Sequence, residues 1–177
     1  LGVHAIELMP INEQSFSRGW GYDPVNLFAP HHRYGTPDEL KQLIDAAHVR
    51  GLGVIIDVVY NHFGPEHCSL FEFGPYTSSR HTTPWGDGVN LDDPGSDEVR
   101  SFIIDNCAMW LREYHADGLR RGATHALRDD STPHILREVS AVAAELGATA
   151  GLRFVIVAED DRHDTRLTMP VREGGMG

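Results

Sequence analysis

Cysteine is scarce: Cys68 and Cys107 are the only two in 177 residues. Two thiols cannot staple a small scaffold, so a hydrophobic core must hold the fold, and buried or free thiols are expected. Basic charge is scarce as well. Fifteen Lys and Arg face 26 Asp and Glu, a formal net charge of −11. Such a surface repels phosphate backbones and anionic lipid heads, so neither nucleic acid nor a membrane is an expected partner. Uncharged ligands such as sugars stay open, because they need no charge complementarity. No apolar run approaches the ~18 residues that span a bilayer, and nothing at the start reads as a signal peptide. A cytoplasmic location is the expectation. Leu1-Gly2-Val3-His4-Ala5-Ile6 reads as the inside of a strand, so the chain is expected to be an interior piece of a larger domain.

What is present suffices for a packed core, with 41% hydrophobic and 23% charged residues. Strand and helix patterns alternate. Val3 to Met9 is a short apolar run closed by Pro10. Thr36-Pro37-Asp38-Glu39 predicts a helix start, with Thr36 as N-cap, Pro37 at the first helical position and Glu39 closing a capping box. Leu40, Leu43, Ile44 and Ala47 then form one apolar stripe, and Gly51 ends the helix. Gly53 to Val59 is too apolar for a one-sided strand. It is expected to be buried on both faces, hence parallel. Ser96-Asp97-Glu98 opens a second helix that turns Val99, Phe102, Ile103, Trp110 and Tyr114 inward, and Gly118-Leu119-Arg120 returns as a strand. A third helix is expected from Ser131 to Leu146, stopped by Gly147, with the strand Phe154 to Ala158 after it.

This βαβαβαβ order implies an α/β fold with a parallel sheet and right-handed crossovers. An open doubly wound sheet and a (β/α)₈ barrel compete for it. No G-x-G-x-x-G follows any strand, whereas polar and ionisable residues gather at strand ends: Asp57, Asn61 and His62, then Arg120, then Glu159. Barrels build their sites at those ends. The connection from Asn61 to Ser96, rich in Gly, Pro, His and aromatics, has the length of a functional loop. A barrel is the expected architecture.

Asp57-Val58-Val59-Tyr60-Asn61-His62 resembles the first signature of the α-amylase superfamily, glycoside hydrolase family 13. Gly118-Leu119-Arg120 followed by His125 resembles the second, and Ala158-Glu159 stands where the third places its glutamate. Trp20-Gly21-Tyr22-Asp23, Leu27-Phe28-Ala29-Pro30, Tyr60 to Pro65, Gly74-Pro75-Tyr76 and Thr83-Pro84-Trp85-Gly86 are similar to the trehalohydrolase branch. Glycogen branching and debranching enzymes share some of these pieces. The resemblance implies a partial (β/α)₈ TIM barrel over residues 1–177, strands two to five with their helices, lacking the first strand and the last three. It implies an α-1,4-glucan-type substrate, maltooligosyl trehalose in that branch, cleaved with retention to release trehalose and without a cofactor.

Glycosidic bonds are cleaved by two carboxyl groups, about 5–5.5 Å apart in retaining enzymes. The resemblance makes Glu159 the general acid/base, and Asp160 and Asp161 are expected to raise its pKa by like-charge repulsion. A solvated acidic turn is the plain alternative. The nucleophilic aspartate of the family falls at Gly122, where the family pattern is close to G-L-R-L-D-A-V-H and this chain reads G-L-R-R-G-A-T-H. Glycine has no group able to form a glycosyl ester. Arg120, which orients the nucleophile in the family, thereby loses a partner, and Arg121 is expected to add a second cation beside it. Asp57 is placed to take up some of this charge, or is a structural carboxylate. Tyr22 is implied as a stacking aromatic with Asp23 beside it, and His62 and His125 as donors to sugar hydroxyls, with Asn61 in support. Trp20 and Trp85 either extend that platform or pack in the core.

No metal is expected. His31-His32 and the spacing of His62 and His67 hint at one, but no H-E-x-x-H or zinc-spaced Cys/His set exists. No run of oxygen ligands suits calcium, and no G-x-S-x-G supports Ser-His-Asp chemistry. Three readings of different class stand. The chain belongs to an active hydrolase, to a catalytically dead relative that binds α-glucans through Tyr22, His62 and His125, or to a partial product with no function of its own.

Overall fold

The apolar run after Gly51 folds into a strand paired on both sides. The computed structural model describes residues 2–176. In chain order its elements are β1 (Ala5–Leu8), β2 (Asn12–Gln14), β3 (Pro24–Pro30), α1 (Pro37–Val49), β4 (Gly53–Val58), β5 (Thr77–Thr83), β6 (Gly86–Val89), α2 (Ser96–Arg112), β7 (Gly118–Arg121), α3 (Ile135–Ala150) and β8 (Val155–Ala158). Strands β1, β4, β7 and β8 form one parallel sheet in that order, with a helix between each consecutive pair. Asp57 lies opposite Arg120, and Arg120 opposite Val157. That register brings the C-terminal ends of three strands side by side. The architecture is a partial (β/α)₈ barrel.

The core sits between sheet and helices. Val54, Ile56 and Leu119 cluster with Ile44 of α1, Val99, Ile103 and Trp110 of α2, and Ile135, Leu136 and Val139 of α3. Each such burial stabilises the fold by roughly 1.5–3 kcal/mol. Helix α1 starts as its sequence predicts: the Thr36 hydroxyl accepts from the Glu39 N–H while the Glu39 carboxylate accepts from Thr36. Its stripe is narrower than predicted, because Leu43 is half exposed.

Helix α3 begins four residues later than expected. Asp129 accepts hydrogen bonds from Ser131 N and Ile135 N and pairs with Arg100 of α2, which holds the intervening residues as a loop. His134, not Ser131, caps the helix. At the other end Gly147 stays helical. The Leu152 carbonyl approaches to 2.7 Å of where a Cβ would stand, so the glycine serves close packing, and the helix stops at Gly151 with φ 68.

Two antiparallel hairpins have no counterpart in the sequence pattern. Strands β2 and β3 pair at the mouth of the sheet, and β5 and β6 pair inside the long connection after β4. Their strands are short or polar, and both ladders carry register shifts, so neither shows a clean alternation. Among the described residues, no helix is long and apolar enough to cross a membrane.

Candidate active site

Asp57 anchors the site from below. It ends β4 with its side chain only 2% exposed. Its Oδ2 accepts hydrogen bonds from the Tyr22 hydroxyl at 2.7 Å and from Arg120 Nη1 at 2.6 Å. Parallel pairing of β4 with β7 sets this ion pair, since the two residues are register partners. Burial, then the bond to Asp57 and its charge, push the Tyr22 phenol up to about 12. Asp57, a supporting residue on its sequence position alone, therefore ties Tyr22 to Arg120. Arg120 does not lack a partner, and its other amino group lies 3.4 Å from Glu159 Oε2.

Glu159 follows β8 directly. Its Oε2 accepts a hydrogen bond from Ala123 N at 2.6 Å. Ala123 sits in the left-handed region at φ 47, which turns its N–H toward that carboxylate. The Glu159 carbonyl accepts from both Thr124 N and the Thr124 hydroxyl. The loop after β7 thus clamps the end of β8. Neither Ala123 nor Thr124 carries a residue-type signal for this role in the sequence.

Two expectations are corrected here. Asp160 does not crowd Glu159: its carboxylate is held by Arg162 at 2.6 Å and by the Thr124 hydroxyl, and the Arg162 bond lowers it to about 2. Its charge is already matched by a cation. Arg121 does not join Arg120 either. Successive residues of a strand face opposite sides, and Arg121 turns into the helix layer, where Nη1 donates to the Leu136 carbonyl at 3.0 Å.

Tyr22, Asp23, Asn61, His62, Arg120, Gly122, His125 and Glu159 all line one cleft of about 710 Å³, with Asp57 beneath it. Trp20 and Trp85 form its lips and are 77% and 46% exposed, so neither packs in the core. Trp85 comes from the turn between β5 and β6 and stacks on His62, ring centroids 5.1 Å apart and planes 23° off parallel. Burial keeps the His62 imidazole below its usual pKa, against the opposing pull of the Asp23 charge and of the nearby Tyr22 backbone. Both of its nitrogens, with Asn61 Nδ2 and His125 Nδ1, are buried without a hydrogen-bond partner among the described residues. His125 Nδ1 has only Asp161 Oδ1 nearby, at 3.4 Å.

At Gly122 an added Cβ would stand 2.8 Å from Arg120 Nη1 and 3.5 Å from Asp57 Oδ1. A side chain here would point into the cluster. Glycine leaves Glu159 and Asp23 as carboxylates of the cleft wall, while Asp57 is engaged below.

A parallel sheet with ionisable groups at its C-terminal strand ends, opening on a cleft walled by aromatics, is the arrangement in which (β/α)₈ barrels build their active sites. The family model for the alpha amylase catalytic domain matches residues 1–82. The chain is 49% identical over all 177 residues to the malto-oligosyltrehalose trehalohydrolase of Rhizobium sp. (strain M-11), covering 30% of that protein. It is 37% identical to the 1,4-alpha-glucan branching enzyme GlgB of Kitasatospora aureofaciens, with all of this chain and 26% of that protein covered. A solved alpha-amylase-type structure from Salmonella typhimurium superposes with a TM-score of 0.83 at 42% identity, over 91% of this chain and 27% of that one. The chain belongs to the α-amylase superfamily. It spans about 30% of the length of the trehalohydrolase it matches.

Proposed function

We propose that the cleft is the α-glucan site of a glycoside hydrolase of trehalohydrolase type, which takes maltooligosyl trehalose and releases trehalose. In this reading residues 1–177 supply strands two to five of the catalytic barrel and the protein works in the cytoplasm. The observation that carries it is the set of buried polar atoms on Asn61, His62 and His125 that make no hydrogen bond of good geometry among the described residues. Each buried polar atom left unpaired costs about 1–3 kcal/mol, and these face one cleft with Trp20, Tyr22 and Trp85 on its walls. A polyhydroxylated ring satisfies donors and acceptors together and offers an apolar face to aromatics.

Glu159 takes the role of general acid/base: it lies at the cleft, is oriented by Ala123 N, and is 47% exposed at its side chain. Arg120 and Asp57 hold Tyr22 as a wall residue. Gly122 favours a second reading, a protein that binds the glucan without cleaving it, since the position facing Arg120 offers no nucleophile. One experiment separates them. The full-length protein is titrated calorimetrically with maltooligosyl trehalose, and trehalose release is followed by chromatography beside a Glu159→Gln control. Release above the control supports the hydrolase; binding alone supports the second reading. Absence of heat at millimolar sugar overturns both.

A further inference from the structure

Outside the cleft, three metal-competent side chains meet at the open end of the β2–β3 hairpin. Glu13 lies on β2, and His31 and His32 directly follow β3. His31 Nδ1 is 2.7 Å from Glu13 Oε1, His32 Nδ1 is 3.0 Å from the same oxygen, and the His32 backbone N–H donates to Oε2 at 3.0 Å. One ligand atom from each residue lies within 4.8 Å of the other two. We propose that Glu13, His31 and His32 bind a divalent transition metal of the Zn²⁺, Co²⁺ or Ni²⁺ type, at a site separate from the glucan cleft.

The donor set selects the metal class. Two imidazoles with one carboxylate suit zinc and its neighbours, whereas magnesium and calcium demand oxygen ligands. Tetrahedral coordination at ordinary Zn–N and Zn–O lengths separates ligand atoms by about 3.3 Å. The present separations of 2.7 and 3.0 Å need only a few tenths more, within reach of small side-chain rotations. Two imidazole nitrogens converge on one carboxylate oxygen, each needing a proton to bond it. A metal ion replaces both protons with a single centre of positive charge.

The two histidines divide the work. His31 is 1% exposed at its side chain and meets Tyr34 edge-on, so its ring is fixed before binding. His32 is 67% exposed, which leaves an entry path and an open position for water. A structural His–Glu pair would need His31 alone. His32, on the surface, loses side-chain freedom by folding back on a carboxylate that already has a partner.

The other His/carboxylate cluster behaves differently. His81, Asp92 and Asp130 also converge, but Arg80 already inserts a cation there, 2.8 Å from Asp130 and 3.8 Å from Asp92. No metal is needed to balance it. At Glu13 a bound ion would join the two strands of the hairpin, whose connecting loop delivers Trp20, Tyr22 and Asp23 to the cleft.

The test uses the full-length protein stripped with a chelator and titrated calorimetrically with Zn²⁺, with Co²⁺ added separately to read its visible absorption bands. We expect a Zn²⁺ affinity that falls roughly tenfold or more in His32→Ala and in Glu13→Gln, with loss of the Co²⁺ bands, and stays unchanged in His81→Ala. His32 is a surface residue, so His32→Ala decides the matter if circular dichroism shows Glu13→Gln unfolded. Absence of saturable Zn²⁺ uptake, or equal affinity in the wild type and His32→Ala, overturns the site.

Discussion

On β7, Arg120 turns to the cleft and Arg121 turns to the helices, and the two guanidinium groups meet opposite surroundings. Arg120 finds Asp57 at 2.6 Å, with Glu159 at 3.4 Å. Arg121 is 3% exposed, donates to one backbone carbonyl, and leaves its Nε without a partner among the described residues. Burial draws its pKa down to about 10, against only the weak pull of Cys107 and Tyr60. Cys107, equally buried, has its thiol pushed up to about 11 and supplies no negative charge near neutrality. The contrast shows what a charge inside this barrel requires. At the mouth, the neighbouring strand presents a carboxylate in register. In the helix layer, the neighbours are apolar or neutral.

The largest test of this contrast alters the cleft face. In the full-length protein, Gly122→Asp should raise trehalose release by roughly a hundredfold or more, because deleting a nucleophile costs orders of magnitude in rate. The new Cβ stands 2.8 Å from Arg120 Nη1, so the Arg120–Asp57 pair must shift slightly to admit it. Unchanged release would mean that another element of the machinery is also absent. Next comes Asp57→Ala, which strands Arg120 and frees Tyr22. A buried pair broken on one side loses about 3 kcal/mol, visible as a lower midpoint in urea. A loss no larger than that of a surface variant would refute the anchoring role of Asp57.

The helix face should answer with the opposite sign. Arg121→Leu removes a buried cation that has no counter-charge among the described residues and is expected to gain about 1–2 kcal/mol. A lower melting temperature would show that Arg121 is better satisfied than its surroundings indicate. The smallest effect lies at Asp160 beside the cleft. Its folded pKa of about 2 is below the ordinary ~3.9, so its pairing with Arg162 stabilises the fold fully above about pH 4. That contribution fades as pH falls toward 2. Asp160→Asn should flatten this part of the acid melt by about 1 kcal/mol or less. An identical acid profile would separate Asp160 from the stability of the β8 end.

Much of the scaffold is legible because its signals are local. The capping box at Thr36 and Glu39 and the doubly buried β4 need only neighbouring residues to be read. The bounds of helix α3 escape a sequence reading for the converse reason. Its start depends on Asp129 being held by Arg100, 29 residues earlier, and its stop on Leu152 folding back over Gly147. The hairpins escape it because polar strands such as Thr77–Thr83 are stabilised by their partner and carry no pattern of their own. Within the cleft, motif spacing singles out Tyr22, His62, Arg120, His125 and Glu159, and the fold gathers them. Spacing cannot indicate that Ala123, with no functional group in its side chain, turns its N–H to Glu159.

By itself the sequence determined the α/β class, the order of the parallel strands' units and the absence of a side chain at 122. Those properties follow from apolar periodicity and from chemistry held within single residues. Tertiary structure alone decided which charges are matched. Motif spacing marks Arg120 but places Arg121 beside it, whereas strand alternation sends the first to a carboxylate and the second into the helix layer. The same holds for Glu13, whose meeting with His31 depends on two strands closing across 18 residues of chain.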